Sequence, residues 1–325
     1  MNLKAMDNRV FLGIDTSNYT TSLAVCGFDG EILYQVKEPL PVKDGECGLR
    51  QSDALFAHTK NLPVVFAKAN EILKDKLIVA VGVSEKPRRA EGSYMPCFLA
   101  GISCANAVAS ACGCELYGFS HQEGHIAAAL YSAGKLELIG ERFAAFHLSG
   151  GTTDIILAEP SESEAGFTLQ RIGGTLDINC GQAIDRAGVM MGMHFPCGGE
   201  LERACMAYDG DKIGIAVSVK GLDCNLSGLQ NKAQELWFKC GDKNAVAALV
   251  FEFIGKTIER LTDNLRGEYK DIPIIYAGGV MSSSVLSSRL KRRFDGIHFA
   301  EPVYSSDNAC GVAVLASRRY RDMQK

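Results

Sequence analysis

Val10-Phe-Leu-Gly-Ile14, Asp15-Thr-Ser-Asn-Tyr-Thr-Thr21 and Ser22-Leu-Ala-Val25 follow one another near the start of the chain. An apolar run, a hydroxyl-rich turn and a second apolar run read as strand, turn and strand, that is, a hairpin. The pattern returns at Phe143-Ala-Ala-Phe-His-Leu148, Ser149-Gly-Gly-Thr-Thr153 and Asp154-Ile-Ile-Leu-Ala158. Thr153 lies 132 residues after Thr21, close to one domain length. The recurrence predicts an internal duplication: two α/β domains, each opening on a hairpin whose turn points into a shared cleft. The plainer alternative is two unrelated hairpins in an ordinary α/β protein.

Between the hairpins, helical patterning covers about residues 51–74, followed by a buried strand at 77–83. A small-residue helix, Ala100–Ala111, and a strand ending at Ser120 come next. Beyond the second hairpin the pattern gives an amphipathic helix near Cys180–Met191 and one long helical stretch, Asn231–Leu265. A strand at Pro273–Ala277, a helix from Ser282–Ser284 to Arg293, a strand near Ile297–Ala300 and a closing helix at 309–319 complete the chain. No stretch reads as a flexible linker. Domains are expected at residues 1–130 and 131–325, with the C-terminal helix able to pack back on the first.

The composition narrows the classes. In 325 residues, 47% are apolar and 22% charged, with 34 Gly and 9 Pro, which excludes disordered and low-complexity chains. No apolar run reaches the roughly 18–20 residues that span a bilayer, so no membrane partner is expected. The opening MNLKAMDNRVFLGIDTS lacks a signal-peptide apolar region, which predicts a cytoplasmic protein. The twelve cysteines then read as reduced thiols, and the absence of any C-x-x-C argues against an iron–sulfur or structural zinc site. A net charge of -4 gives no field to coat nucleic acid, yet leaves room for a local basic patch.

His121-Gln-Glu-Gly-His125 carries the clearest chemistry. On a helix, residues four apart lie about 40° apart on one face, the spacing of a metal pair. The alternative is two ordinary polar residues at a helix start. A zinc-peptidase reading fails on geometry, because the base of H-E-x-x-H stands at i+1. Here i+1 is Gln122, and Glu123 points about 180° away from the pair. Ser149-Gly-Gly-Thr-Thr153 offers glycine backbone and hydroxyls to a phosphate, and together with Asp15-Thr-Ser-Asn18 it makes two phosphate hairpins. Glycines at Gly278-Gly279 and in Pro196-Cys-Gly-Gly199 allow close approach, or merely tight packing. Asp307, at a strand-to-helix joint, either caps a helix or offers a carboxylate to a metal.

These motifs, with Thr175-Leu-Asp177, Gly181-Gln-Ala-Ile-Asp185-Arg186, Phe195-Pro-Cys-Gly-Gly199, Ala277-Gly-Gly-Val280 and Ser306-Asp-Asn308, resemble in order and spacing the TsaD/Gcp family, also called the M22 glycoprotease family. The resemblance runs from about residue 10 to 316. It implies an α/β, duplicated actin-like and hexokinase-like (ASKHA, RNase H-like) ATPase fold, with two lobes around a nucleotide cleft. It implies the catalytic subunit of a tRNA threonylcarbamoyladenosine synthase, which moves a threonylcarbamoyl group from its adenylate to N6 of adenine in tRNA. It further implies one transition metal (iron or zinc) on His121, His125 and Asp307. ATP, AMP or an acyl-adenylate would be held by Ser149, Gly150, Gly151, Asp185 and Gly198, with Ser283, Thr16 and Ser17 nearby, and partner subunits of a modification complex are implied as well.

The departures are specific. The family's S-C-D-E-T turn is Ser17-Asn-Tyr-Thr-Thr21, so an acidic pair is missing; the Glu of G-E-A-F-D-K is Gln182; and the nucleotide-contacting Asn falls on Ser283. The T-x-G-P-G loop becomes the longer, basic Ser84–Tyr94. His147 stands where archaeal members carry a metal-binding Tyr and is the expected fourth ligand. The alternatives are a paralogue that passes a carbamoyl or acyl group to another acceptor and a nucleotide-binding regulatory homologue. If tRNA is the acceptor, Lys86, Arg88 and Arg89 together with Lys291, Arg292 and Arg293 are the expected phosphate contacts. No catalytic base is identified.

Overall fold

The computed structural model describes residues 7–17, 19–41, 49–163, 165–211, 213–305 and 307–325. The chain divides into two compact units. The first comprises Met1–Gly140, Pro160–Thr168 and Val303–Lys325, the second Glu141–Glu159 and Leu169–Pro302. Among the described residues, no helix is long and apolar enough to cross a membrane.

The first unit begins with β1 (Arg9–Asp15), β2 (Thr20–Gly27) and β3 (Ile32–Pro39), then α1 (Gln51–Leu73), β4 (Leu77–Lys86), α2 (Phe98–Cys112), β5 (Glu115–Ser120) and α3 (His121–Ser132). Its sheet runs β3-β2-β1-β4-β5. β1 pairs antiparallel with β2, from Val10 opposite Gly27 to Asp15 opposite Ser22, and parallel with β4. Val10, Phe11, Leu12 and Ile14 are all fully buried. Such an unbroken apolar strand belongs at the centre of a sheet covered on both faces.

The second unit is built on β6 (Phe143–Leu148), β7 (Thr153–Pro160) and β8 (Phe167–Thr175), with Pro160, Phe167 and Thr168 counted in the first, then α4 (Cys180–Met190), α5 (Gly198–Met206), β9 (Ser218–Lys220) and β10 (Asp223–Asn225). It continues with α6 (Gly228–Cys240), α7 (Lys243–Glu268), β11 (Ile274–Ala277), α8 (Ser284–Lys291) and β12 (Ile297–Phe299). Its sheet reads β12-β11-β6-β7-β8-β10-β9. The order β8-β7-β6-β11-β12 repeats β3-β2-β1-β4-β5, with β6 antiparallel to β7 and parallel to β11. Two short strands extend the second sheet beyond the repeat. Phe146, Tyr276, Val250 and Ile254 are among the buried residues that seal α7 onto it.

The last helix, α9 (Cys310–Met323), belongs to the first unit and lies against β1, β4 and α3. Its approach to α3 is backbone on backbone. A Cβ on Gly311 would collide with the Gly124 carbonyl oxygen. This packing requires glycine at Gly311, while a Cβ on Gly124 would meet Val312 Cγ1 at 3.1 Å, and it sets Asp307, just before α9, beside the histidines.

The long helix expected at Asn231–Leu265 is two helices. Gly241 ends α6 with φ 62°, and the side chain of Asp242 accepts from Asn244 N at 2.8 Å to start α7. A left-handed glycine followed by an N-cap Asp is a stop and a start. The strands β3, β8, β9 and β10 and the helix α5 have no counterpart in the sequence expectations.

Candidate metal centre and nucleotide pocket

β5 ends at Ser120, which caps α3. Its Oγ accepts from Glu123 N at 3.2 Å, and Ser120 N donates to Glu123 Oε2 at 2.6 Å, a reciprocal capping box. His121 is therefore the first helical residue and His125 follows one turn later, their Nε2 atoms 2.9 Å apart. Asp307 Oδ1 lies 3.5 Å from the first and 3.3 Å from the second. One donor atom from each residue falls within 4.8 Å of the others.

Behind this group stands Asp15, the last residue of β1 and buried. Its Oδ2 lies 2.8 Å from His121 Nδ1 and also accepts from Ser84 Oγ at 2.7 Å, while Oδ1 accepts from Ser17 N at 2.7 Å. Donation from Nδ1 to Asp15 points the Nε2 of His121 at His125 and Asp307, the orienting carboxylate of metal-binding histidines. Burial alone would lower the His121 pKa, but the carboxylates of Asp15 and Asp307 hold it up at about 10. Asp307 is half-buried, which opposes its charge, yet the two imidazoles keep its carboxyl below the ordinary range. Two imidazole nitrogens and a carboxylate oxygen, converging where negative charge outweighs positive, suit a borderline transition metal.

Thr16 and Ser17 serve this same end of the first unit. Thr16 is fully buried; its hydroxyl donates to Cys97 O at 3.1 Å and accepts from Gly101 N at 3.0 Å. Ser17 Oγ lies 3.4 Å from His121 Nε2. Asn18 and Ser306 lie outside the described residues. His147 sits on β6 in the second unit, paired with Asp154 and Ala277. No disulfide joins the described cysteines.

The second unit carries a cavity of about 450 Å³ lined by Gly150, Gly181, Asp185, Gly198, Glu202 and Ser283, with Phe195 and Phe251 on its apolar side. The hairpin turn meets the start of α4 here. Gly181 N donates to Ser149 O at 3.1 Å and Cys180 N to Thr153 Oγ1 at 2.8 Å. A Cβ on Gly181 would lie 2.6 Å from Gly150 Cα, so only glycine fits. Ser149 Oγ accepts from Gly151 N at 3.3 Å and Thr152 N at 3.1 Å, which holds the turn in shape. Gln182 completes a capping box with Asn179. That task suits Glu and Gln equally, so this departure leaves the helix start intact.

Asp185 Oδ1 accepts from Cys197 N at 2.8 Å, and burial raises its pKa. Ser283 caps α8 by accepting from Leu286 N at 3.3 Å, and its hydroxyl donates to Glu202 Oε1 at 3.0 Å. Glu202 Oε1 also accepts from Ser284 Oγ at 2.8 Å and Val285 N at 3.1 Å. Burial opposes these bonds, but they hold its carboxyl below the usual range. The sequence reading passes over Glu202. Its signal was position: four residues after Gly198, it shares that residue's face of α5.

The expected basic patch is partly engaged elsewhere. Arg89 pairs with Glu85 and Glu123, and Arg293 with Asp263 and Glu259. These guanidiniums are paired with carboxylates of their own unit and stay partly exposed.

Comparison with known proteins extends the geometry. An activator of the 2-hydroxyisocaproyl-CoA dehydratase from Clostridium difficile with bound ADPNP matches with TM-score 0.54 at 11% identity, covering 97% of both chains. A ROK family glucokinase from Streptomyces griseus in complex with glucose and AMPPNP matches with TM-score 0.52 at 13% identity, covering 95% of this chain and 99% of that one. These neighbours show the actin-like, hexokinase-like ASKHA fold. A Thermus thermophilus protein named tRNA N6-adenosine threonylcarbamoyltransferase is 29% identical over 319 residues, covering 95% of this chain and 93% of the relative. The family described as TsaD, tRNA N6-adenosine threonylcarbamoyltransferase, matches residues 48–314. With more than half of its length matched, the chain belongs to the TsaD family.

Proposed function

We propose that this chain transfers a threonylcarbamoyl group from its adenylate to N6 of an adenosine in tRNA, using one iron or zinc ion on His121, His125 and Asp307. The observation that carries the reading is the convergence of those three donors with Asp15 fixing the first imidazole, in a chain of this family. When bound, such a cation would supply Lewis acidity to a carbonyl or phosphoryl oxygen. The remaining roles belong to the chain. The Ser149–Thr153 turn offers phosphate the Gly150 N–H and the Ser149 and Thr152 hydroxyls, beside the start of α4. Asp185 accepts from ribose hydroxyls, Gly198 lets the nucleoside approach the backbone, and Ser283 holds Glu202 in place at the cavity wall. In the transfer, the adenosine amine forms a C–N bond to the carbamoyl carbon, AMP leaves with the C–O bond pair, and the amine loses a proton.

Transfer to another acceptor is the second reading, favoured by one observation: Arg89 and Arg293 are already tied to carboxylates of their own unit. The experiment supplies threonylcarbamoyl-adenylate, unmodified tRNA and partner subunits to the metal-loaded protein, and tRNA nucleosides are read by mass spectrometry. Modified adenosine is the expected product. Consumption of the adenylate with unmodified tRNA overturns the tRNA reading in favour of the other acceptor.

A further inference from the structure

Glu123 lies between the two histidines in sequence, but its side chain is only 3% exposed. It faces the start of α3, where its Oε2 accepts from Ser120 N. A carboxylate buried this far requires a compensating cation. Among the described residues the cation within salt-bridge reach is Arg89, whose Nε lies 3.3 and 3.2 Å from the two Glu123 oxygens. The same guanidinium donates to Glu85 Oε1 at 2.8 Å and to the Gly118 carbonyl of β5. Two residues earlier, Pro87 O accepts from Gln122 N at 3.1 Å. The segment after β4 is thus tied to the end of β5 and to the first turn of α3.

We propose that Arg89 is a positioning residue for the metal pair: by balancing the Glu123 charge it fixes the helix start from which His121 projects. The proposal rests on the metal reading above. His121 is the first residue of α3, so no preceding helical turn holds its backbone; the capping box restrains that backbone while Asp15 orients the ring. His125, one turn further in, is held by the helix itself. Metal–ligand bonds tolerate about 0.2 Å, so a loosened first turn removes His121 from the site before it disturbs His125.

The test uses the full chain with Co(II) as probe. Affinity is read by chelator competition, ligand geometry by the visible Co(II) absorption, and both are referred to the folded fraction from circular dichroism. Arg89→Ala should bind Co(II) more weakly by up to about 10-fold, the lower end of the loss for a direct outer partner of a ligand, because Arg89 acts through Glu123, and with an altered spectrum. The double variant Arg89→Met/Glu123→Gln removes both charges, while Gln keeps the capping box. It should recover most of the affinity and the wild-type spectrum. Arg89→Ala with wild-type affinity and spectrum overturns the proposal, as does an equal loss in the single and double variants. A wild type that takes up no Co(II) overturns the metal reading itself, which separates the two failures.

Discussion

In the first hairpin the final rung pairs Asp15 with Ser22, and the buried Asp15 carboxylate turns toward His121. In the second the final rung pairs Leu148 with Thr153, and the turn between them, Ser149 to Thr152, carries no charge. The strand order around both is the same. A duplicated frame has therefore been wired in two ways. One turn fixes a histidine through a buried carboxylate; the other keeps backbone N–H groups and glycines beside a helix start. Charge specialises the first, and the lack of side chains specialises the second.

The strongest way to break this contrast is to remove the charged wiring. His121→Ala with His125→Ala should abolish stoichiometric metal uptake, measured by elemental analysis. Asp15→Asn should weaken metal binding by about 10- to 100-fold by freeing the imidazole to choose the wrong tautomer. Ser149→Ala, in the opposite turn, should leave metal content unchanged. Equal metal in wild type and the double histidine variant would end the reading of the first turn as a metal device.

A pH series sharpens the same difference. The His121 pKa in the folded chain is about 10, raised above its ordinary 6.5. Its contribution to stability is thus fully present below about 6.5 and is lost as pH rises toward 10. Denaturation of the chelator-treated protein at pH 6, 8 and 10 should show stability falling over that window, and Asp15→Asn should flatten the fall. Metal affinity should move the other way, rising with pH, because the proton on Nε2 competes with the ion. A profile that is flat in wild type would show that the Asp15–His121 pair does not carry the charge assigned to it.

The two glycines of the second unit separate packing from binding. A Cβ on Gly181 meets Gly150 Cα at 2.6 Å, whereas one on Gly150 meets nothing within 4 Å. Gly181→Ala should therefore cost about 1–3 kcal/mol of stability, the usual effect of overpacking, read by urea denaturation. Gly150→Ala should leave stability near wild type and weaken only ATP or AMP binding by calorimetry.

Much of this contrast was legible in the sequence because hairpins with apolar strands and spaced histidines are local signals. The parts that were not legible depend on partners far along the chain. Arg89 looks like solvated charge in a basic loop until Glu123, 34 residues on, is placed beside it. Glu202 looks like any acidic residue on an amphipathic helix until Ser283, Ser284 and Val285 converge on it. β3 escaped because its pattern, ILYQVKEP, leaves only one residue buried, at a sheet edge. The break between α6 and α7 was readable, since Gly241-Asp242 is an ordinary stop and start; hydrophobic periodicity on both sides masked it.

The smallest expected effect concerns Gln182, and it tests whether neutrality is what specialises the second turn. Gln182 caps α4 by accepting from Asn179 N at 3.2 Å, a bond that Glu makes as well. Gln182→Glu should then change stability by no more than about 0.5 kcal/mol, the usual range where no buried partner is lost. It would, however, place a negative charge beside Gly181, next to the turn proposed to meet phosphate. Solvent-exposed charges interact by about 1 kcal/mol or less, and salt screens them. ATP binding should weaken by about two- to fivefold at low ionic strength, AMP binding by less, and both differences should shrink as salt is added. Repulsion scales with phosphate charge, so the ordering of ATP over AMP is the decisive readout. If the variant binds both nucleotides as wild type does at low salt, the phosphates do not sit at this turn, and the neutral wiring of the second hairpin loses its meaning.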